Sequence, residues 1–219
     1  MYSNGSFAQF QQNIKVSKGE DLGKAVKENC FRFASFTKGE IFYKYGKSGE
    51  SQLNYNILSE EMLFIEPHGD TLIVSNPTDI SYLKIGETLF YYDNGYKEII
   101  ADYTITKLAI HQIAAIEFVK LGSMGENNTT SAITNVDHLN TPSYYYDLAL
   151  NQDAYIRKKT FYYFTDSKNH FLKATKSSIF KIFSSKKEKI ELYLKENDIN
   201  FNKESDLVKL LEFCTNKNG

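Results

Sequence analysis

Arginine occurs only at positions 32 and 157, and tryptophan does not occur at all; cysteine appears twice and proline three times in 219 residues. Each scarcity closes something off. Lysine supplies nearly all of the 26 basic residues, which disfavours nucleic-acid recognition through bidentate arginine contacts to phosphate and guanine. Cys30 and Cys214 match no metal-ligand or redox spacing, so either a disulfide in an oxidising compartment or two separate buried thiols fits them. Three prolines and twelve glycines exclude collagen-like and linker-like chains. No run approaches the ~18 apolar residues that cross a bilayer as a helix. The most apolar stretch, LAIHQIAAIEFV at 108–119, is broken by His111, Gln112 and Glu117. The opening MYSNGSFAQFQQ has no charged-then-apolar leader, so the expectation is a cytosolic protein or one whose leader has been removed.

What is abundant is aromatic. Sixteen Tyr and sixteen Phe, within a 42% hydrophobic chain, supply an ample core and favour sheet, because flat rings suit a pleated surface. After a polar, weakly patterned first 30 or so residues, short strand-like runs recur between turn signals at Thr37-Lys38-Gly39, Gly46-Lys47-Ser48-Gly49, Pro67-His68-Gly69-Asp70, Asn76-Pro77 and Asn94-Gly95. Loops this short join antiparallel neighbours, which predicts a meander. MLFI at 62–65 and LIV at 72–74 lack alternation and read as strands covered on both faces. Asn94-Gly95 predicts a two-residue hairpin loop that sets Tyr92 opposite Lys97 and Phe90 opposite Ile99, rooted in the core with its end in water. Residues 104–122 read as strand. The segment 122–153, poor in large apolar residues outside Tyr144–Tyr146 and carrying sequons at Asn127 and Asn128, reads as a long exposed connection. KKTFYYFTDSKNHFLKA at 158–174 predicts a hairpin turning at Asp166–Asn169.

The tail changes period. Ile179, Ile182 and Phe183 share a helical face, as do Ile190, Tyr193 and Leu194, and Leu207, Leu210, Leu211 and Cys214. Ser185 and Glu188 have capping-box spacing, and Asn202 or Ser205 suits the next helix start. Helices this short need a surface to dock on. The expected class is therefore α+β, mainly β: an antiparallel meander forming an open barrel or strongly curved sheet or sandwich over 1–174, with a helical tail at 175–219 packed on it as part of the same domain.

Catalytic chemistry is sparse. His68, His111, His138 and His170 stand apart without zinc-ligand spacing. The HGD at 68–70 reads as a polar turn, and VDHLN at 136–140 as loop. Glu60 and Glu61, adjacent on a strand, point to opposite faces; Glu66 and Asp70 flank one turn. Phosphate-loop, dinucleotide and nucleophile-elbow motifs do not occur, and neither a cofactor nor a metal is expected.

Charge is unevenly spread. Residues 1–156 hold 12 basic against 19 acidic groups, and residues 157–219 hold 14 against 8. From Arg157 to Lys189, ten cations interleave with aromatics, a composition suited to an anionic surface or single-stranded nucleic acid. Arg157, Lys158, Lys159, Lys186, Lys187 and Lys189 are the candidate binding residues, although nucleic acid is disfavoured by the scarcity of arginine. The opposed signs also suit attraction between the strands and the tail.

The runs FTKGEIFYKYG and LNYNILSEEMLFI, with the tail from FYYFTDSKNHFLKA to LLEFC, resemble a family of uncharacterised small exported proteins of Gram-negative bacteria. The resemblance covers about half of the chain. It implies a periplasmic or secreted protein without assigned catalytic residues. The expected function is non-enzymatic binding or assembly outside the cytoplasm, with an unknown partner for which another envelope protein and an apolar ligand are the candidates. The alternative is a carrier holding an apolar ligand between curved sheet and helices.

Overall fold

The computed structural model describes residues 12–121, 127–128, 150 and 152–216. Its strands are β1 (Gln12–Val16), β2 (Thr37–Tyr43), β3 (Ser48–Asn56), β4 (Glu61–Ile65), β5 (Thr71–Ile73), β6 (Ile80–Ile85), β7 (Thr88–Tyr92), β8 (Tyr96–Asp102), β9 (Lys107–Phe118), β10 (Lys120–Leu121), β11 (Asn127–Asn128), β12 (Ala154–Thr165) and β13 (Phe171–Lys173). The helices are α1 (Leu22–Asn29), α2 (Lys176–Ile182), α3 (Lys187–Glu196) and α4 (Glu204–Thr215). The protein is mainly antiparallel sheet, in the order β1-β12-β9-β8-β7-β6-β2-β3-β4-β5 with β13 added to β12; β10 and β11 pair with each other. The aromatic, β-branched composition is spent as the sequence predicts, and helices close the chain.

The antiparallel meander runs in two stretches. Runs β2–β5 and β6–β9 each meander, but β6 returns to pair with β2. Strand β2 therefore has β6 on one side and β3 on the other, and β5 is left at the end of the order. The stretch at 72–74 is also not covered on both faces: Val74 is buried, while Leu72 and Ile73 are 44% and 40% exposed.

The chain divides into two compact units, with β2, β3, β9 and β12 contributing residues to each. The first comprises Met1–Thr37, Gln52–Val74 and Gln112–Lys159. It contains a strand and a helix in the stretch that looked weakly patterned. Helix α1 forms because Asp21 caps it, the carboxylate accepting the Lys24 N–H at 3.0 Å, and because Leu22 and Val26 share its buried face. Here Val16, Leu53, Tyr55, Met62, Leu63, Ala154 and Ile156 are buried. Buried Asn54 serves as a backbone mimic, its side chain accepting from Phe33 N–H and donating to the Phe33 carbonyl.

The second unit comprises Lys38–Ser51, Ser75–His111 and Thr160–Gly219. Its core is the docking surface that the short helices require. Leu108 and Phe164 from the strands meet Ile179, Phe183, Ile190, Leu207, Leu210, Leu211 and Cys214 from the tail, all buried. Tyr193 and Phe213 stack at 4.1 Å between α3 and α4. The two helix starts differ from the sequence expectation. Lys186 and Lys203, not Ser185, Asn202 or Ser205, occupy the N-cap positions of α3 and α4, and neither makes a side-chain cap bond. A single 3-10 turn at Ser184–Lys186 takes up Ser185, so it cannot reach forward as a cap. Thr175 is the residue that caps in this region, its hydroxyl accepting the Ser178 N–H at 3.2 Å.

The hairpin β7–β8 pairs Tyr92 with Tyr96, Tyr91 with Lys97 and Phe90 with Glu98. The register is one residue away from the two-residue-loop expectation. Asn94 and Gly95 both take positive φ, as predicted, but Asp93 also lies in the loop. The hairpin end is also less wet than expected, since Tyr96, Lys97 and Glu98 are buried. The expected long connection over 122–153, with His138 and Tyr144–Tyr146, lies outside the described residues except for 127–128, 150 and 152–153.

Candidate functional site

The hairpin β4–β5 opens on a turn with two backbone bonds, Glu66 N–H to the Asp70 carbonyl at 3.0 Å and Gly69 N–H to the Glu66 carbonyl at 2.9 Å. Gly69 sits at φ +96°, which a side chain would resist. Three pairs follow: Ile65 with Thr71, Phe64 with Leu72, and Leu63 with Ile73. The ladder then closes with Val74 N–H on the Met62 carbonyl at 2.8 Å. Hydrogen-bonded and non-hydrogen-bonded pairs alternate in an antiparallel ladder, so the bonds at 66/70 and 62/74 assign the inward groups to residues 70, 72 and 74. The N–H and C=O of Thr71 and Ile73 therefore point away from β4. Among the described residues β5 has β4 as its one strand neighbour. Leu72 and Ile73 stand on opposite faces of this strand, both exposed. An open edge with exposed aliphatic side chains and no Pro, Lys or bulge of its own is the arrangement to which another extended backbone adds.

Two of the basic candidates make structural bonds, and the six divide between the two units. Arg157, half-buried on β12, donates from Nε to Glu117 at 2.5 Å and from Nη1 to Asn13 at 3.2 Å, with its guanidinium over Tyr155. It ties three strands of the first unit. Lys158 stands opposite Gln12 in the β1–β12 ladder. Arg157, Lys158 and Lys159 fall in the first unit, and Lys186, Lys187 and Lys189 in the second. The Lys186 ammonium donates to the carbonyls of Cys214 at 3.1 Å and Asn216 at 2.9 Å, closing the C-terminus of α4, where a cation complements the helix dipole. Lys187 and Lys176 both approach the ring of Phe180, at 5.6 and 5.3 Å from its centroid. Lys189 is exposed on α3.

A cation that the sequence reading passed over has the most enclosed setting. Lys97 is 2% exposed. Its ammonium donates to the carbonyl of Asp93 in its own hairpin loop and lies 4.9 Å from the ring centroid of Tyr163 and 5.7 Å from that of Phe171. Tyr91, opposite Lys97, meets Phe171 at 6.0 Å although β8, β9 and β12 separate β7 from β13. Four flat strand spacings amount to roughly 19 Å, so this part of the second unit curls, with rings and ammonium filling its concave side. The opposite side is taken by the helices and their buried side chains. The one sequence signal was the tyrosine-and-charge mixture of the hairpin; the enclosing rings come from residues 66 and 74 positions further along the chain.

Buried hydroxyls join β9 to β12. Thr106 donates to the Thr165 carbonyl at 2.7 Å, and the Thr165 hydroxyl accepts from Lys107 N–H, both within the second unit. Cys30 and Cys214 are free and buried, and desolvation pushes each thiol up to about 12, well away from thiolate chemistry. A groove of about 430 Å³ lies between β1 and α1. Its charges are engaged: Lys15 with Asp153 at 2.7 Å, Glu20 accepting Ser17 N–H at 2.6 Å, and Asp21 capping α1. Among the described residues no three His, Cys, Asp or Glu side chains gather as a metal site, and no helix is long and apolar enough to cross a membrane.

Comparison of the chain with protein-family models, with curated proteins and with solved structures finds no match.

Proposed function

We propose that this protein is a non-catalytic binding or assembly protein that works outside the cytoplasm, and that it takes an extended segment of its partner onto the free side of β5. The carrying observation is the outward N–H and C=O of Thr71 and Ile73, flanked by the exposed side chains of Leu72 and Ile73. Strand addition supplies affinity through the main chain and selectivity through side chains on alternate faces. The reading draws further support from Arg157 and Lys186, two cations of the basic run that brace a strand and a helix end. The extracytoplasmic placement rests on the resemblance of the 36–46, 53–65 and tail segments to exported proteins, and cell fractionation tests it.

Amide exchange tests the binding reading. Addition of a neutral peptide of alternating valine and threonine should slow exchange at Thr71 and Ile73, whose N–H groups are outward, and leave Leu72 unchanged. Unaltered exchange at Thr71 and Ile73 with saturating peptide removes β5 as the binding edge.

A further inference from the structure

The chemistry of the segment that β5 accepts can be read from the residues around it, on the basis of the strand-addition reading. Residues 52–74 carry Glu60, Glu61, Glu66 and Asp70 and neither Lys nor Arg, a bias that composition of the whole chain conceals. The hairpin geometry distributes these carboxylates to both ends of β5. Glu66 and Asp70 bound the turn that leads into it. Glu61 is the residue of β4 next beyond Met62, whose carbonyl holds Val74 at the far end. His68 lies in the same turn as Glu66 and Asp70. Between the acidic ends, Thr71, Leu72 and Ile73 are uncharged, and the latter two offer aliphatic surface.

We infer that the partner strand is a short apolar segment with lysine or arginine at each end. An extended backbone is the one ligand class whose donors and acceptors alternate at the spacing of Thr71 and Ile73. Aliphatic side chains on such a strand cover Leu72 on one face and Ile73 on the other. Flanking cations then fall beside Asp70, which adjoins the neighbouring strand β5, with Glu66 at that end and Glu61 at the other set one strand back along β4; opposite charges there attract and like charges repel. A second copy of this chain fits the edge less well. Added antiparallel through its own β5, it sets the Glu66–Asp70 end of one copy against the Glu61 end of the other.

Two peptides test the inference on the whole protein, followed by fluorescence anisotropy. One is Lys-Lys-Val-Ile-Val-Lys-Lys and the other Glu-Glu-Val-Ile-Val-Glu-Glu, both capped at each terminus. The lysine-flanked peptide should bind about tenfold or more tightly than its counterpart at about 20 mM salt, with the advantage shrinking at about 300 mM as charges are screened. The triple variant Glu61→Gln, Glu66→Gln, Asp70→Asn should erase the preference and keep residual binding. Ile73→Pro removes an outward donor and leaves the inward bonds to β4, so it should weaken both peptides. N-methylation of the central isoleucine in the peptide does the same from the other side without touching the protein.

Equal binding of the two peptides, still sensitive to Ile73→Pro or N-methylation, overturns the charge inference and leaves strand addition standing. Binding of neither peptide by a chain that stays monomeric, or binding indifferent to both backbone changes, overturns strand addition itself. Self-association that Ile73→Pro abolishes, with neither peptide bound, places a second copy on the edge and overturns the inference.

Discussion

The hairpins β4–β5 and β12–β13 are built on one backbone plan and meet opposite fates. Each turns through three residues: Glu66 N–H bonds to the Asp70 carbonyl and Gly69 N–H to the Glu66 carbonyl, while Asp166 N–H bonds to the His170 carbonyl and Asn169 N–H to the Asp166 carbonyl. Gly69 and Asn169 both take positive φ. Each turn leads into a three-residue strand, Thr71–Ile73 or Phe171–Lys173, in which a leucine faces a phenylalanine: Leu72 with Phe64, Leu172 with Phe164. Each ladder closes on the residue after the strand, Val74 on Met62 and Ala174 on Tyr162. The difference lies in what surrounds them. Phe164 is fully buried under the helices and Phe171 lies against Tyr91 and Lys97, whereas Leu72 and Ile73 meet solvent. Each short strand has one strand neighbour among the described residues, but the same local device finishes a core in one unit and leaves its side chains exposed in the other. Its function is thus decided by neighbours and not by the turn.

Paired substitutions sharpen that contrast. Phe164→Ala empties a site at the centre of the helix-covered core and should cost about 3–5 kcal/mol in chemical denaturation; Phe64→Ala, at the half-buried equivalent, should cost less than half as much. Comparable losses would show that the β4–β5 hairpin is packed as heavily as its counterpart. Next in size is the ammonium enclosed by Tyr163 and Phe171. Lys97→Met keeps the length and removes the charge, leaving the Asp93 carbonyl without this donor, and should destabilise by about 1–3 kcal/mol. A neutral result would mean that hydrophobic contact alone holds the hairpin there.

Smaller effects separate the two turns. Gly69→Ala places a side chain at positive φ and should cost about 1–2 kcal/mol, all of it backbone strain because no heavy atom lies within 4 Å of the new methyl; Asn169→Gly should change stability by no more than about 0.5 kcal/mol. The smallest is a pH effect confined to the second turn. The backbone N–H of His170, then its imidazole, and the backbone N–H of Lys168 hold Asp166 down at about 2, from the ordinary 3.8. A depressed carboxylate stabilises above its unfolded value and loses that contribution as pH falls through the folded one. The 166–170 turn should therefore loosen between about pH 4 and 2, and Asp166→Asn should remove that step from an NMR titration of the His170 amide. An unchanged titration in the variant would assign the acid transition to other carboxylates.

Much of the fold was legible along the chain. The strand at 107–118, the hairpin turning at Asp166–Asn169 and the three apolar helix stripes follow from local period and turn chemistry, and each is present. The misses share a cause. LIV at 72–74 has the composition of a buried strand, and composition does not reveal that β6 pairs with β2 and leaves β5 at the edge. Tyr91, Lys97, Tyr163 and Phe171 show no common pattern because a curled sheet, not spacing, assembles them. The basic run at 157–189 is continuous in sequence, yet Arg157 ties β12 to its neighbours and Lys186 closes the end of α4. Ser185 fits a cap by spacing, but the 3-10 turn before α3 redirects it.

By itself, the sequence determined that this chain would make antiparallel strands and end in docked helices, because period, turn residues and ring content act over a few neighbours. Only the tertiary structure decided which strand ends without a second neighbour and which lysine is enclosed by rings. Those outcomes depend on pairings between residues far apart in the chain, whose energies no short window contains.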